Sequence, residues 1–358
     1  MPLERAYFYN FRNLSPQELE TKARQVFFIG KNGQGKTNLL EAIYTLHLGS
    51  SFRTKKDHLL TKIGQQSWSV LGTISTEKGF FELQTKYVNG KKEVLLEGTS
   101  LKDRKFLLKL ETVILFSHDD FLLVSGTAEE KRRFFDQTFI QVSDDYLYAW
   151  KRYHAFTKQR NNVLKTTEDK FHLDTLEQLM AEEAYKLITF REEWTKEFSS
   201  SFADSFKNIH PINGEIKLHY IPSISTSKIK ENYWEQMRRR DLEFGFTTAG
   251  PHRDVWKITW FGHDFLSTSS TGQIRLASLS LKVAQAQFIK RKISLPLVFL
   301  LDDVLLELDP EKRKRIMELL PGYDQAFFTF LPGNRDFELR DNYLGYLIEE
   351  GKWQKTTL

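Results

Sequence analysis

The feature that most constrains this chain is a glycine-rich segment near its start. It fits the pattern G-x-x-x-x-G-K-[ST] and consists of Gly30-Lys31-Asn32-Gly33-Gln34-Gly35-Lys36-Thr37. An apolar run at residues 26–29 precedes it and apolar residues at helical spacing follow it, so a strand, a loop and a helix are predicted in that order. Such a loop turns its backbone amides toward phosphate oxygens at a helix N-terminus. We expect these eight residues to hold a nucleotide, with Lys36 at its β and γ phosphates and Thr37 on a magnesium ion.

A second apolar strand supplies the carboxylates that a phosphate loop requires. The run at residues 297–301 ends in Asp302-Asp303. We assign Asp302 to magnesium, because the metal needs a carboxylate at the end of another strand of the same sheet. Asp303 is placed to orient or deprotonate the attacking water and, with Lys36, is a predicted catalytic residue. The alternative is a pair of aspartates that cap a strand-to-loop turn.

The long separation between Lys36 and Asp302 excludes a compact nucleotide kinase or small GTPase. Just before the second strand, an S-x-G-Q turn begins a predicted helix and provides Ser270, Gly272 and Gln273. A polar turn at a helix N-terminus is a second anion site. It cannot easily serve the nucleotide on its own phosphate loop, whereas in ABC-type ATPases the equivalent turn closes on the partner's γ-phosphate.

The organisation of the chain follows from changes in periodicity. Residues 69–97 alternate between apolar and polar side chains around Asn89-Gly90, which predicts an antiparallel meander. Residues 119–241 show helical spacing of apolar side chains, with a possible strand at 215–220 after a break at Asn213-Gly214. The predicted fold is α/β, with a head formed by residues 1–118 and 242–358 and an inserted helical arm at 119–241.

Composition narrows the function classes. The 358 residues include no cysteine, which excludes disulfide frameworks, zinc ribbons, iron–sulfur clusters and thiol nucleophiles. No apolar stretch reaches the roughly 20 residues of a membrane span, and the N-terminus lacks a secretory signal, so we expect a cytoplasmic protein without a membrane partner. The net charge of +5 permits nucleic-acid binding without requiring it.

Beyond the phosphate loop and the S-x-G-Q turn, the chain carries an ordered series of motifs: Asn10-Phe11-Arg12-Asn13, Ser51-Phe52-Arg53-Thr54, Phe116-Ser117, Lys131-Arg132-Arg133-Phe134-Phe135-Asp136, Gln159-Arg160-Asn161, Gly250-Pro251-His252-Arg253-Asp254 and Leu301-Asp302-Asp303-Val304 with Glu307-Leu308-Asp309. In this series, the sequence resembles the RecF family of bacterial DNA replication and repair proteins over nearly the whole chain. One motif alone would indicate any P-loop ATPase.

The resemblance implies an ABC-type ATPase head related to SMC proteins and an ATP-dependent homodimer on DNA near single-strand gaps or junctions. It also implies a weak, DNA-stimulated ATPase associated with the nucleoid that supports RecA loading with RecO and RecR. Carried over to this sequence, Ser270, Gly272 and Gln273 meet the partner's nucleotide, with Ser270 among the catalytic groups. Arg53 lies near nucleotide and DNA.

Basic clusters in or beside the helical segment are candidates for DNA contact. They comprise Lys131, Arg132, Arg133, Arg160, Arg238, Arg239 and Arg240. The alternative is a solvated helix face, since glutamates occur in the same segment. His252 either couples the arm to the head or is a hydrogen-bonded histidine at a strand entry.

Two other functions compete with a DNA clamp. One is a nucleotide-binding subunit of a transporter, or another generic ABC-type ATPase subunit. The second is a scaffold in which ATP only locks a dimer. Release of phosphate with and without DNA separates these possibilities.

Overall fold

The computed structural model describes residues 3–76, 79–103, 105–166, 170–211, 214–230, 232–306, 308–333 and 342–357. Asn213 and Glu307, which contributed a turn signal and part of a motif to the sequence interpretation, lie outside the described residues. The chain divides into two compact units, Met1–His118 with Ser294–Leu358, and Asp119–Ile293.

The first unit contains two six-stranded sheets. Its strands are β1 Leu3–Tyr9, β2 Glu18–Glu20, β3 Gln25–Ile29, β4 Trp68–Thr76, β5 Gly79–Val88, β6 Lys91–Leu96, β7 Thr99–Ser100, β8 Thr112–Phe116, β12 Leu297–Leu301, β13 Gln325–Phe330, β14 Tyr343–Glu349 and β15 Lys352–Thr356. Its helices are α1 Lys36–Leu48, α2 Lys105–Leu110 and α11 Pro310–Leu319, with a 3-10 turn at Asp57–Leu60.

The first sheet is antiparallel, with the order β2-β1-β4-β5-β6-β7. Val88 and Lys91 face each other across Asn89 and Gly90, which both have positive φ. This is the two-residue hairpin that an Asn-Gly pair favours, so the predicted meander is confirmed.

The second sheet is mixed, with the order β15-β14-β3-β13-β12-β8. All neighbours pair in parallel except β14 and β15. Nearly every residue of β3, β12 and β13 is buried, as expected for interior parallel strands made of continuous apolar runs.

Helix α1 lies between the two sheets. Its buried residues Leu39, Ile43 and Leu46 belong to one apolar core with Val70 of the antiparallel sheet and Phe28 of the mixed sheet. A Cβ atom added at Gly72 of β4 would lie 2.3 Å from the Leu46 side chain, so the glycine permits close approach of the helix. This packing fixes the helix that follows the phosphate loop.

The second unit is mainly helical. Its helices are α3 Leu122–Ser125, α4 Ala128–Val142, α5 Asp144–Thr166, α6 Lys170–Ile209, α7 Thr226–Lys230, α8 Tyr233–Phe244, α9 Phe265–Thr268 and α10 Thr271–Lys292, with 3-10 turns at His118–Phe121 and Pro251–Arg253. Strands β9 Ile216–Ile221, β10 Val255–Trp260 and β11 His263–Asp264 form an antiparallel sheet in the order β11-β10-β9.

The borders between the two compact units lie at residues 118–119 and 293–294, whereas the sequence interpretation ended the inserted arm at residue 241. Strand β10 pairs with β9 along its whole length, and α10 packs against α6, so residues 242–293 are held to the second unit. Within the described ranges, none of the helices combines the length and apolarity that a membrane crossing demands.

Candidate functional site

The glycine-rich segment forms the loop between β3 and α1. Gly33 and Gly35 have φ of 79° and 113°, a region that favours glycine. A Cβ atom on Gly30 would lie 2.5 Å from the Ile348 carbonyl oxygen, and one on Gly35 would lie 3.0 Å from Asn13 Oδ1. The loop therefore requires glycine for backbone conformation and for space, as a phosphate cradle does.

Lys36 is a buried cation at the start of α1. Its side chain is 4% exposed, and Nζ donates hydrogen bonds to the carbonyl oxygens of Gly30 at 2.9 Å and Lys31 at 3.3 Å. Asp303 Oδ2 lies 3.6 Å from the same nitrogen. A buried ammonium is costly unless it is paired, and these contacts compensate its charge. They hold the Lys36 ammonium at the loop, where phosphate oxygens of a nucleotide would contact it.

The carboxyl end of β12 brings two aspartates to the loop. Thr37 Oγ1 donates a 2.9 Å hydrogen bond to Asp302 Oδ1, and the Asp302 amide donates to the Phe116 carbonyl oxygen at the end of β8. Burial raises the pKa of Asp302, and the neighbouring charge of Asp303 adds to the rise, whereas the Thr37 hydrogen bond opposes it. The ends of parallel strands meet at one edge of the sheet, which explains why residues so distant in sequence are in contact.

Thr329, the fifth residue of β13, connects the two aspartates. Its hydroxyl oxygen accepts the Asp303 amide proton at 2.8 Å and lies 3.0 Å from Asp302 Oδ1 and 2.9 Å from Asp303 Oδ1. With one proton, the hydroxyl can donate to one carboxylate at a time. Asp303 has a φ of 55°, a strained conformation of the kind found at functional sites. Sequence reasoning assigned no role to Thr329, although one polar side chain in the run Phe327-Phe328-Thr329 was a usable signal.

The oxygen ligands at this edge fit magnesium. The Thr37 hydroxyl and the Asp302 carboxylate are hard donors within hydrogen-bonding distance of each other. Among the described residues, no group of three or more His, Cys, Asp and Glu side chains is placed to hold a metal alone. A cation here would therefore take its remaining ligands from phosphate oxygens and water, as Mg²⁺ commonly does.

A buried carboxylate in α1 organises two arginines next to the loop. Glu41 accepts hydrogen bonds from Arg12 Nε and Nη2, both at 2.9 Å, and from Ser51 Oγ at 2.6 Å. Arg53 Nη1 lies 3.2 Å from the same carboxylate and donates to Asn38 Oδ1 at 2.8 Å. Arg53 thus lies beside the first turn of α1. The sequence singled out Arg53 but not Glu41, because an acidic residue in a helix usually faces solvent.

Ser270, Gly272 and Gln273 belong to the second unit, at the N-terminus of the 22-residue helix α10. Ser270 and Gln273 form a reciprocal capping box, in which the Ser270 amide donates to Gln273 Oε1 at 2.8 Å. An added Cβ on Gly272 would meet only Ser270 Oγ, at 4.0 Å. Ser270 and Gly272 are exposed and the conformation of the turn is set locally, while the amides of Ser270 and Gln273 are used within the capping box.

Arg160 is misassigned as a DNA-contact residue. Its side chain is fully buried and donates to Glu177, Asp241 and Thr247 at 2.7–3.0 Å. A guanidinium whose donors are used inside the protein cannot reach a phosphate. Arg238 is also mostly buried and pairs with Glu177 and Asp174.

The remaining basic candidates divide by exposure. Arg132 donates to the Asp254 carbonyl oxygen, and burial lowers the pKa of both Lys131 and Arg132. Arg133, Arg239 and Arg240 are exposed. These three keep the geometry for phosphate contact, whereas Lys131 and Arg132 serve partly as structural groups.

His252 is enclosed by hydrogen bonds within the second unit. Its Nε2 lies 3.0 Å from the Thr247 carbonyl oxygen and its Nδ1 lies 2.7 Å from the Tyr153 hydroxyl. Neutral imidazole satisfies both by donating from Nε2 and accepting at Nδ1. Burial lowers the pKa of His252 to about 4. These contacts favour the structural alternative.

Together, the loop after a central parallel strand, the aspartates on β12 and the antiparallel sheet packed on α1 define an ABC-type P-loop ATPase fold. The sequence model of the RecF/RecN/SMC N terminal domain family matches residues 2–331. The chain belongs to the RecF family.

Curated and solved relatives agree with this assignment. The DNA replication and repair protein RecF of Treponema pallidum (strain Nichols) is 36% identical over 346 residues, which cover 96% of this chain and 98% of that protein. A solved structure of the recombination mediator protein RecF-ATP in the RecFOR pathway has a TM-score of 0.88 and 27% identity, covering 99% of this chain and 97% of its own. The structure of an Smc head bound to the C-winged helix domain of ScpA shares the fold, with 15% identity and a TM-score of 0.58. That match covers 100% of this chain and 98% of the Smc head chain.

Proposed function

We propose that this chain binds ATP and magnesium at the phosphate loop, dimerises around bound ATP, grips DNA near single-strand gaps or junctions, and hydrolyses ATP slowly. The observation that carries the proposal is the joint placement of Lys36, Thr37, Asp302 and Asp303 at one sheet edge. Membership of the RecF family supports a role in DNA repair and replication.

Each group at the site would have a distinct chemical task. Backbone amides of the loop and the Lys36 ammonium would bind phosphate oxygens, and Thr37 and Asp302 would hold the metal. Magnesium, when bound, would supply charge neutralisation at the phosphates. Asp303 accepts a proton from, or orients, the water that attacks the γ-phosphorus, and Thr329 holds the Asp303 backbone in place.

The S-x-G-Q turn completes the site from a second copy of the chain. Ser270, Gly272 and Gln273 would present hydroxyl and amide groups to the γ-phosphate held by the partner's loop. The second compact unit would then combine the helical arm with this turn. In a symmetric dimer, each of the two bound ATP molecules would lie between one chain's loop and the other chain's turn, so dimerisation would depend on ATP.

DNA contact is proposed for exposed cations of the second unit, Arg133, Arg239 and Arg240. Arg53 would lie near both nucleotide and DNA. The RecFOR pathway named for the similar RecF-ATP structure supports RecO and RecR as partners, with RecA as the protein whose loading is assisted. We place the protein in the cytoplasm, at the nucleoid.

The test is phosphate release by the purified chain with ATP and magnesium, with and without gapped duplex DNA. We expect slow release that DNA accelerates, loss of nucleotide binding in Lys36→Ala, and retained binding without hydrolysis in Asp303→Asn. Release at the parent rate by Asp303→Asn would contradict the role given to that carboxylate.

The alternative is a scaffold in which ATP locks a dimer without turnover. It predicts ATP-dependent dimers but no phosphate release with any DNA. A rate of ATP hydrolysis that is the same with and without DNA would instead favour a generic ABC-type ATPase subunit.

A further inference from the structure

Two exposed phenylalanines lie side by side where α8 ends. The Phe244 and Phe246 side chains are 56% and 37% exposed, and their ring centroids are 5.9 Å apart. Between them, Gly245 ends the helix with a φ of 70°, a turn that glycine favours. Adjoining exposed apolar side chains that are rimmed by polar groups are typical of interaction sites.

Cationic side chains border this pair. The Arg240 guanidinium lies 5.8 Å from the Phe244 ring centroid, and that of Arg253 lies 5.4 Å from the Phe246 ring centroid. A Cβ atom on Gly245 would lie 3.7 Å from Lys165 Cγ. Hereafter, the aromatic–arginine surface means Lys165, Arg240, Phe244, Phe246 and Arg253.

Hydrogen bonds to buried side chains hold the segment that follows Phe246. The Thr247 amide and hydroxyl both donate to Asn161 Oδ1 at 2.8 Å, and the hydroxyl accepts from Arg160 at 2.9 Å. Trp234 Nε1 donates to the Ala249 carbonyl oxygen at 3.1 Å. Buried Arg160 thus positions the surface, and little ordering entropy remains to be lost when a ligand binds.

We propose that the aromatic–arginine surface binds single-stranded nucleic acid. Unpaired bases stack on Phe244 and Phe246, while Arg240, Arg253 and Lys165 neutralise adjacent phosphates. Duplex bases already stack on each other and cannot offer their faces. A docked protein would not require a cation beside each of the two exposed rings. The inference rests on the proposed function, because it extends the DNA contact proposed for Arg240 to an adjoining surface for single strands.

The experiment measures anisotropy of labelled oligothymidylate and of a labelled duplex with the full chain. The test variant, Phe244→Leu with Phe246→Leu, keeps apolar area but removes the ring faces. Its affinity for the single strand should fall at least about fivefold, since stacking contributes about 1–3 kcal/mol per base. Affinity for the duplex and phosphate release in the absence of DNA should not change.

Two controls sharpen the result. Tyr148 is an exposed aromatic residue under Arg152, at 5.3 Å, but Arg152 also pairs with Glu183, and Tyr148 lies roughly 25 Å along α5 from Lys165. Tyr148→Leu should bind the single strand like the parent. The double variant Phe244→Trp with Phe246→Trp should retain binding of the single strand.

The outcomes separate the two proposals. Unchanged single-strand affinity in the leucine variant, equal losses for single strand and duplex, or no single-strand binding by the parent would overturn this inference. In the first two cases, duplex binding by the parent leaves the proposed function standing. A parent that binds neither form of DNA contradicts the proposed function itself.

Discussion

The Thr37 hydroxyl donates a 2.9 Å hydrogen bond to Asp302 Oδ1 and so joins the first turn of α1 to the end of β12. This contact brings together the two oxygen ligands expected for magnesium. Burial raises the pKa of Asp302, and the neighbouring charge of Asp303 raises it further. Both effects disfavour the ionised carboxylate, which a bound cation would stabilise. Metal binding at these two oxygens would therefore depend on the position of the phosphate loop.

Asp302→Asn should bind ATP with little dependence on magnesium. The asparagine oxygen can still accept the Thr37 hydrogen bond, but the charge that attracts the metal is lost. Titration of a fluorescent ATP analogue, with magnesium or with chelator, measures the ratio of affinities. We expect that ratio to fall at least about tenfold, or 1.4 kcal/mol, relative to the parent. A parent-like ratio would remove Asp302 from the metal site.

Thr329→Val should lower both stability and hydrolysis. The Asp303 amide loses its 2.8 Å acceptor, and an unsatisfied buried donor costs about 1–3 kcal/mol. Thr329→Ser retains the hydroxyl and is the matched control. The thermal midpoint and the rate of phosphate release of Thr329→Ser should be close to those of the parent, and both should be well below them in Thr329→Val. If Thr329→Val hydrolysed ATP as fast as Thr329→Ser, Thr329 would not position Asp303.

Glu41→Gln should destabilise the first unit and weaken nucleotide binding. Two arginines share this buried carboxylate, and loss of the charge in such a pair costs about 3–5 kcal/mol. The control is Glu20→Gln, since Glu20 pairs with Lys355 at the surface, where about 0–1 kcal/mol is expected. Equal thermal midpoints for the two variants would show that Glu41 organises nothing.

His252→Gln should reduce the loss of stability in acid. The pKa of His252 is lowered from 6.5 to about 4 in the folded chain, chiefly by burial. Between those values the unfolded chain binds more protons, so stability falls as pH drops, by at most about 3 kcal/mol. Glutamine can still donate to the Thr247 carbonyl oxygen. Thermal midpoints at pH 7 and pH 4.5 should differ less in the variant, and an unchanged difference would argue against this origin.

The nucleotide site could largely be predicted because its signals are local. The glycine loop has a fixed pattern, and Asp302-Asp303 directly follows an apolar run, so the rule for parallel strand ends brings both to one edge. Thr329 and Glu41 were given no role because their partners are fixed only by strand order and helix packing. The sequence around Thr329 or Glu41 does not indicate which side chains each residue contacts in the folded chain.

The arm was harder to interpret, because a charge run does not reveal which side chains are buried. Arg160 lies in a basic motif, yet its partners Glu177 and Asp241 are 17 and 81 positions away. Likewise, the change in composition near residue 241 did not show that β10 would pair with β9. Long-range pairing therefore overrides composition at both places.

The proposed function depends on an ATP-dependent dimer closed by the S-x-G-Q turn. Sedimentation velocity of the chain with magnesium, with and without ATP, measures this dimer, and Ser270→Arg is the variant that should block contact with the partner's γ-phosphate. We predict a dimer with ATP, a smaller species without it, and no ATP-dependent dimer in the variant. A monomer under every condition, or a Ser270→Arg dimer like that of the parent, would contradict it.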